Sequence, residues 1–391
     1  MKVVLFLFGI IVLIGIELMK VYFIMPFPGS QEDERVALAY FIHNYIWALR
    51  LFGLALVAYP AFVFLKTDRV WVRWPVVVML GFWLVVVYEV NFQMLADKIF
   101  RMPEVKSLKT ASQNKVPVKK LVVGVSINGE SKAYPIEIIG YHHQVRDTVG
   151  GKPVMITYCT VCRTGRVYEP LVDGRSDDFR LVGMDHYNAM FEDSRTGSWW
   201  RQVNGEAITG PMKGKVLPSV PSEQMSLEAW LSYHPESLVM QPDSGFIERY
   251  KGLEEFVAGK DTSRLEKRDS LAWMDKAWIV GVQVGMESKA YDWIQLTEQH
   301  VINDRVGNTS IVVALEADSV TFHVWERPDS LTFQVDDGLN MLTDTNTNSH
   351  WDWNGRCVQG ALAGNQLKWT QSYQEYWHSW RTFRPRTEKY Q

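Results

Sequence analysis

The sequence predicts three transmembrane helices at the N-terminus followed by a mainly β, tandem-repeat domain held outside the cytoplasm. Three observations predict this. Apolar stretches crowd residues 1–98, the remainder contains one β-rich unit twice, and the loops between the stretches differ in charge.

The apolar stretches run over 3–25, 36–65 and 74–96. Each covers the roughly 20 residues an α-helix needs to cross a bilayer. No small-x-small cleavage pattern follows the first, so it reads as a retained anchor and not as a signal peptide. The loop between the first two carries Glu32, Asp33 and Glu34 against Arg35, and the next loop carries Lys66, Arg69 and Arg73 against Asp68. Lys and Arg concentrate in cytoplasmic loops, which puts the second loop inside and the large domain outside. Lys98, Arg101, Lys106, Lys109 and Lys115 pull the other way, but long domains cross largely regardless of charge. The expectation is a multi-pass inner-membrane protein with a periplasmic C-terminal domain, its first partner the lipid bilayer.

Several ionisable groups interrupt the spans: Glu17, Lys20, His43, Arg50 and Glu89. A lone charge at mid-bilayer costs about 3 kcal/mol on insertion scales. Glu17, His43, Arg50 and Glu89 are therefore expected to face one another. They would form either an ion-paired bundle or a proton, quinone or ion site near the outer surface.

After residue 98 the same unit occurs twice. The run Val123-Gly124-Val125 through Glu130-Ser131-Lys132-Ala133-Tyr134 is echoed by Val280-Gly281-Val282 through Glu287-Ser288-Lys289-Ala290-Tyr291. The register carries His143 onto His300, then Asp193, Thr196, Ser198 and Trp200 onto Asp344, Thr347, Ser349 and Trp351, and finally Trp230 onto Trp380. The chain divides into membrane helices (1–98), a linker (99–114), a first repeat (115–243), a charged linker or helix (244–272) and a second repeat (273–391).

Each copy reads as β. Residues 121–127 lead into Asn128-Gly129, the strongest two-residue hairpin signal. Residues 153–158 form a short apolar run behind Gly150-Gly151, as a buried strand does. Further strands are expected at 179–182 and 199–203, and one helix near the end of each copy, at 226–233 with Ser226 as its N-cap and at 371–380.

Features kept in both copies are scaffold, and features in one are free to be functional. Cys159 falls opposite Glu316 and Cys162 opposite Ser319, so the Cys-x-x-Cys pair exists only in the first copy. His142, Met184 and His186 also lack counterparts.

The order Asp147, Gly150-Gly151, Tyr158-Cys159-x-x-Cys162, then Asp193-x-x-Thr196-x-Ser198-x-Trp200, resembles the domain-of-unknown-function family 3179. The resemblance is good over 115–243 and poor over the second copy. Arg163 stands where the family often has Gly, and residues 25–31 look like the membrane segment of its Bacteroidetes members. The resemblance implies no activity.

Three readings of the thiol pair stay open. Soft thiolates select Cu(I), with zinc as second choice. Further ligands would come from His142, His143, Met184, His186 or Met190. A thiol–disulfide oxidoreductase uses the same spacing, although Thr164-Gly165 argues against the long helix of a thioredoxin fold. A non-catalytic interaction module, with a structural disulfide or two buried thiols, is the third.

Elsewhere, Cys357 reads as a small buried residue, and Asp193-x-x-Thr196-x-Ser198 as a turn because the second copy repeats it. His186 reads as a lone exposed histidine, since neighbours in a strand face opposite ways. A formal charge of −3 argues against nucleic-acid binding. No phosphate loop, H-E-x-x-H or nucleophile elbow is present. The reading adopted is a membrane-anchored protein handling copper, or taking part in redox, at the membrane surface, with an unidentified membrane or periplasmic protein as partner.

Overall fold

The computed structural model describes residues 1–32, 34–253, 276–336, 338 and 340–391. Most of the linker expected over 244–272 therefore lies outside the described residues. The chain forms two compact units. One contains 1–101, 177–201 and 206–216, and the other contains 102–176, 202–205 and 217–391. This division cuts through the first repeat, whose middle sheet groups with the membrane helices.

In the first unit, helices α1 (Lys2–Tyr22), α2 (Val36–Leu65) and α3 (Val70–Tyr88) are long and apolar enough to cross a membrane. A π-helical turn, Glu89–Gln93, continues α3. Glycine sets how closely α1 and α2 approach. A Cβ on Gly9 would lie 2.6 Å from Val57, and one on Gly53 2.6 Å from Leu13. Small residues allow such contacts where no hydrophobic force drives helices together in lipid.

The sheet of this unit orders its strands Ala207–Thr209, Trp199–Arg201, Asn188–Asp193 and Phe179–Asp185. Val182, Met190 and Trp199 pack with Ile24, Val36 and Ala39. The Met184 amide donates to the Ile24 carbonyl at 2.8 Å. Gly183 makes room for that contact, because a Cβ there would lie 2.1 Å from the same carbonyl oxygen. The α1–α2 connection and this sheet thus share one end of the bundle.

The second unit shows the duplication strand by strand. Leu121–Ile127 pairs antiparallel with Glu130–Pro135, as Trp278–Val284 does with Glu287–Asp292. A parallel strand closes each sheet at matching positions, Leu238 opposite Lys132 and Glu388 opposite Lys289. Gly124 and Gly281 lie under tryptophan rings, and a Cβ would meet Trp230 at 2.2 Å and Trp380 at 2.4 Å. Asn128 and Gly129 take φ of 50° and 83°, the left-handed pair a tight hairpin requires.

Two expectations need correction. Each copy holds a further helix, Ile136–His142 and Trp293–Gln299, that periodicity missed. The segment expected to be helical over 371–380 is a strand, Ser372–Tyr376, followed by the helix Trp377–Phe383. Pairing with Trp278–Val284 extends the first half, so tertiary contact overrides local propensity.

The copies meet along matching segments, with Gln224 and Gln374 at equivalent positions. Gln224 Nε2 donates to Gln374 Oε1 at 2.8 Å. Ser222 and Gln371 exchange two hydrogen bonds, at 3.1 and 2.9 Å.

Candidate functional site

Strand Lys152–Cys159 turns back into Thr164–Tyr168, with Cys159 opposite Thr164 as the last rung. Cys162 sits in the turn, closed by the Arg163 amide donating to the Thr160 carbonyl at 3.2 Å. Arg163 adopts φ 56°, the left-handed conformation that favours glycine. Its guanidinium stacks 3.6 Å over Trp278 and donates to Gln374 at 3.1 Å.

Neither thiol is in a disulfide and both are buried, Cys159 1 % and Cys162 0 % exposed. Burial pushes the Cys162 thiol well above its ordinary value. The Cys159 thiol bonded to it and the Glu375 charge act in the same direction, and the Ser379 hydroxyl opposes them.

The second copy supplies the facing wall. Tyr376 N donates to the Cys162 carbonyl at 3.0 Å, and two residues on, His378 Nε2 lies 3.9 Å from Cys162 Sγ. Burial, helped by the Lys276 charge, pushes the His378 pKa down to about 3, so the imidazole is neutral and can act as a ligand. Arg166 pairs with buried Glu375 and stacks 3.5 Å over Tyr373. Tyr158 Oη and Glu375 Oε1 are buried without a hydrogen-bond partner among the described residues. Also among the described residues, no three His, Cys, Asp or Glu side chains are already gathered as a metal cage.

The other ligands proposed from sequence have these surroundings, with the His143 carbonyl accepting from the Tyr158 amide at 3.0 Å. Buried His142 bonds Tyr250 Oη at 2.8 Å within an aromatic cluster of Tyr141, Phe246 and Tyr250. His143 ends its helix at φ 61°, as His300 does at 59°. The same left-handed helix end occurs in both copies, and burial lowers the His143 pKa to about 4. Met184, Met190 and His186 belong to the other compact unit. His186 is not a lone histidine: its Nδ1 lies 2.7 Å from Asp185 Oδ1, because both stand at a hairpin turn where strand alternation no longer applies. His378 lies in the second copy, to which the single-copy thiol pair gives no pointer in the sequence. Comparing it with its counterpart Glu228 would have marked it.

Of the ionisable groups in the apolar helices, the structure joins Glu17 and Arg50 through two hydrogen bonds, 2.6 and 2.9 Å long. Asn91 in the π-helical turn donates to Glu17 at 3.1 Å and accepts from Lys20 at 2.5 Å. His43 lies instead by the sheet, 3.4 Å from Glu192 and edge-on to Trp199. Glu89 is on the exposed side of its helix.

The repeated Asp-x-x-Thr-x-Ser-x-Trp run is a closed turn. Asp193 accepts from the Thr196 amide and hydroxyl, the Ser198 amide and Trp200 Nε1. Asp344 likewise accepts from Thr347 and Trp351 Nε1.

Comparison with known proteins gives one match. The family model described as "Protein of unknown function (DUF3179)" covers residues 99–387, well over half the chain and through the second copy as well as the first. No curated protein and no solved structure matches.

Proposed function

The chain belongs to the DUF3179 family, and from its own geometry we propose that it binds a soft metal ion, Cu(I) ahead of zinc, through Cys159 and Cys162. The domain stands on the periplasmic side of the inner membrane in this reading. The charge difference between the helix loops supports that side, as does the packing of the α1–α2 connection on the first-copy sheet.

One observation carries the reading: a buried, neutral imidazole 3.9 Å from a buried thiol. An ion bonded to sulfur at about 2.3 Å and to imidazole nitrogen at about 2.0 Å holds those atoms roughly 3.5–3.8 Å apart at angles from tetrahedral to trigonal. The observed spacing needs a shift of a few tenths of an ångström. Two thiolates and one imidazole suit Cu(I), whereas structural zinc takes four ligands. Both thiols must release protons on binding, so affinity rises with pH.

A thiol–disulfide oxidoreductase fits less well. Its attacking sulfur needs access to substrate, and neither Cys159 nor Cys162 is exposed. The thiols' complete burial favours the structural alternative, in which they pack as small hydrophobes. The protein partner expected from sequence becomes the donor or acceptor of the ion.

The test is Cu(I) titration of the reduced, detergent-solubilised chain without oxygen, against a coloured Cu(I) chelator. One Cu(I) per chain is expected, lost in Cys159→Ser and in Cys162→Ser, with zinc competing poorly. Equal copper uptake by wild type and the double serine variant would end the metal reading in favour of packing.

A further inference from the structure

We infer that the two copies are joined by one permanent junction and one proton-operated latch, the latch formed by His323 of the second copy and Glu223 of the first. The duplication makes the two junctions equivalent, so each serves as the control for the other.

At the first junction Arg166 occupies the position that His323 takes in the second copy. Its guanidinium crosses from the first copy to pair with buried Glu375 and stacks over Tyr373, the counterpart of Glu223. A guanidinium keeps its charge at every working pH, so this tie is permanent.

At the second junction an imidazole stands where that guanidinium would be. His323 is 4 % exposed, and its ring stacks on Trp325 with centroids 5.1 Å apart. Its Nε2 lies 2.6 Å from Glu316 Oε1, which also accepts from the first copy's Tyr233 hydroxyl at 2.6 Å. An ionised carboxylate only accepts, so Nε2 carries a proton and Nδ1 is the nitrogen left to titrate. That nitrogen lies 4.0 Å from Glu223 Oε2. Without a proton between them, two acceptors face each other across the junction. With one, held by either partner, the gap can close to a charge-assisted hydrogen bond.

The other groups around His323 leave this proton to the pair. Asp318 accepts from Ser226 of the first copy at 2.8 Å. Burial pushes its pKa up, but hydrogen bonds from Thr321, Val320 and Ser226 outweigh it, so Asp318 stays ionised. Burial also pushes Tyr233 up, with Glu316 adding to it, so the phenol stays a donor. Burial pushes Glu223 up too, opposed by His323 and reinforced by Glu316. A group raised on folding stabilises below its unfolded value and loses that contribution as pH climbs through the folded one. The shared proton belongs to the pair, and imidazoles exchange theirs between about pH 5 and 8. The latch is therefore closed in acid and open in mild alkali.

Hydrogen exchange on the full-length chain in detergent, expressed as protection factors at pH 5.5 and 8, tests this without any variant. Protection of residues 223–226 and 322–326 is expected to fall about tenfold between these values, while 164–168 and 373–376 keep theirs. His323→Arg should hold the acid level at both pH values, as Arg166 does, and Glu223→Gln should also remove the fall. A wild-type fall that is absent at 223–226, or matched at 373–376, overturns the latch. So does a fall that survives in either variant.

Discussion

The four-stranded sheet of the first copy and its counterpart in the second share a backbone plan and differ on one face. In the first, Val182, Met190, Trp199 and Ile208 pack with Ile24, Val36, Ala39 and Tyr40 of the membrane helices and their connection. In the second, built from Phe333–Asp336, Met341–Asp344, His350–Trp351 and Cys357–Gln359, the register puts Met341, His350 and Val358 at the positions of Met190, Trp199 and Ile208. Val358 is 45 % exposed, and His350 bonds Thr343 where Trp199 bonds Glu192. A handful of side chains on one face thus decides whether a copied sheet docks on helices or faces water. The turn chemistry beneath is untouched by that choice.

That claim is most exposed at the shared turn. Asp193→Ala and Asp344→Ala each remove a buried carboxylate that accepts several hydrogen bonds, leaving a tryptophan Nε1 unpartnered in the core. Each should cost about 3–5 kcal/mol, since unsatisfied buried donors and lost charge-assisted bonds add. Denaturant unfolding followed by tryptophan fluorescence would read the loss. The common plan fails if one sheet tolerates its substitution while the other does not.

A swap across the face separates docking from plan. Trp199→His should destabilise by about 2–4 kcal/mol, because a fully buried indole leaves its packing. The reciprocal His350→Trp, on a partly exposed face, should stay within about 0.5 kcal/mol. Comparable losses in both variants would mean that the second face is also covered in the working protein.

Much of this architecture can be read from residue order, and the exceptions share a cause. The span 36–65 and the strand 121–127 appear as expected because hydropathy and a hairpin dipeptide act locally. The N-cap at Ser226 is equally local. The short helices at 136–142 and 293–299 are too brief for periodicity to separate from the strands beside them. The strand half of 371–380 depends on a partner almost a hundred residues away. The thiol pair was legible as a single-copy feature. His378 was not, because which imidazole faces the sulfurs is settled by how the two copies dock.

The smallest expected effect lies at the hairpin that the first sheet presents beside the α1–α2 connection. His186 and Tyr187 take φ of 49° and 65°, and Gln31 Oε1 accepts from the Tyr187 amide at 3.2 Å. The Asp185 carboxylate holds the His186 pKa above its ordinary value, against burial. Burial pushes Asp185 up, but His186 and Arg201 outweigh it, so its pKa is lowered. A histidine raised on folding contributes stability fully below its unfolded value, about 6.5, and loses it as pH rises through the folded value. A carboxylate lowered on folding contributes above its unfolded value, about 4, and loses it as pH falls. The dyad therefore stabilises the sheet most between about pH 4 and 6.5, and its contribution declines toward pH 8. The second copy replaces this turn with the run Asp336 to Asn340, which has no histidine, so its sheet should lack that dependence. The melting temperature of wild type should exceed that of Asp185→Asn by most at pH 5.5, by less at pH 7 and by least at pH 8.5. A gap between wild type and Asp185→Asn that stays constant across the three pH values would remove the dyad as a titrating unit and with it this difference between the sheets.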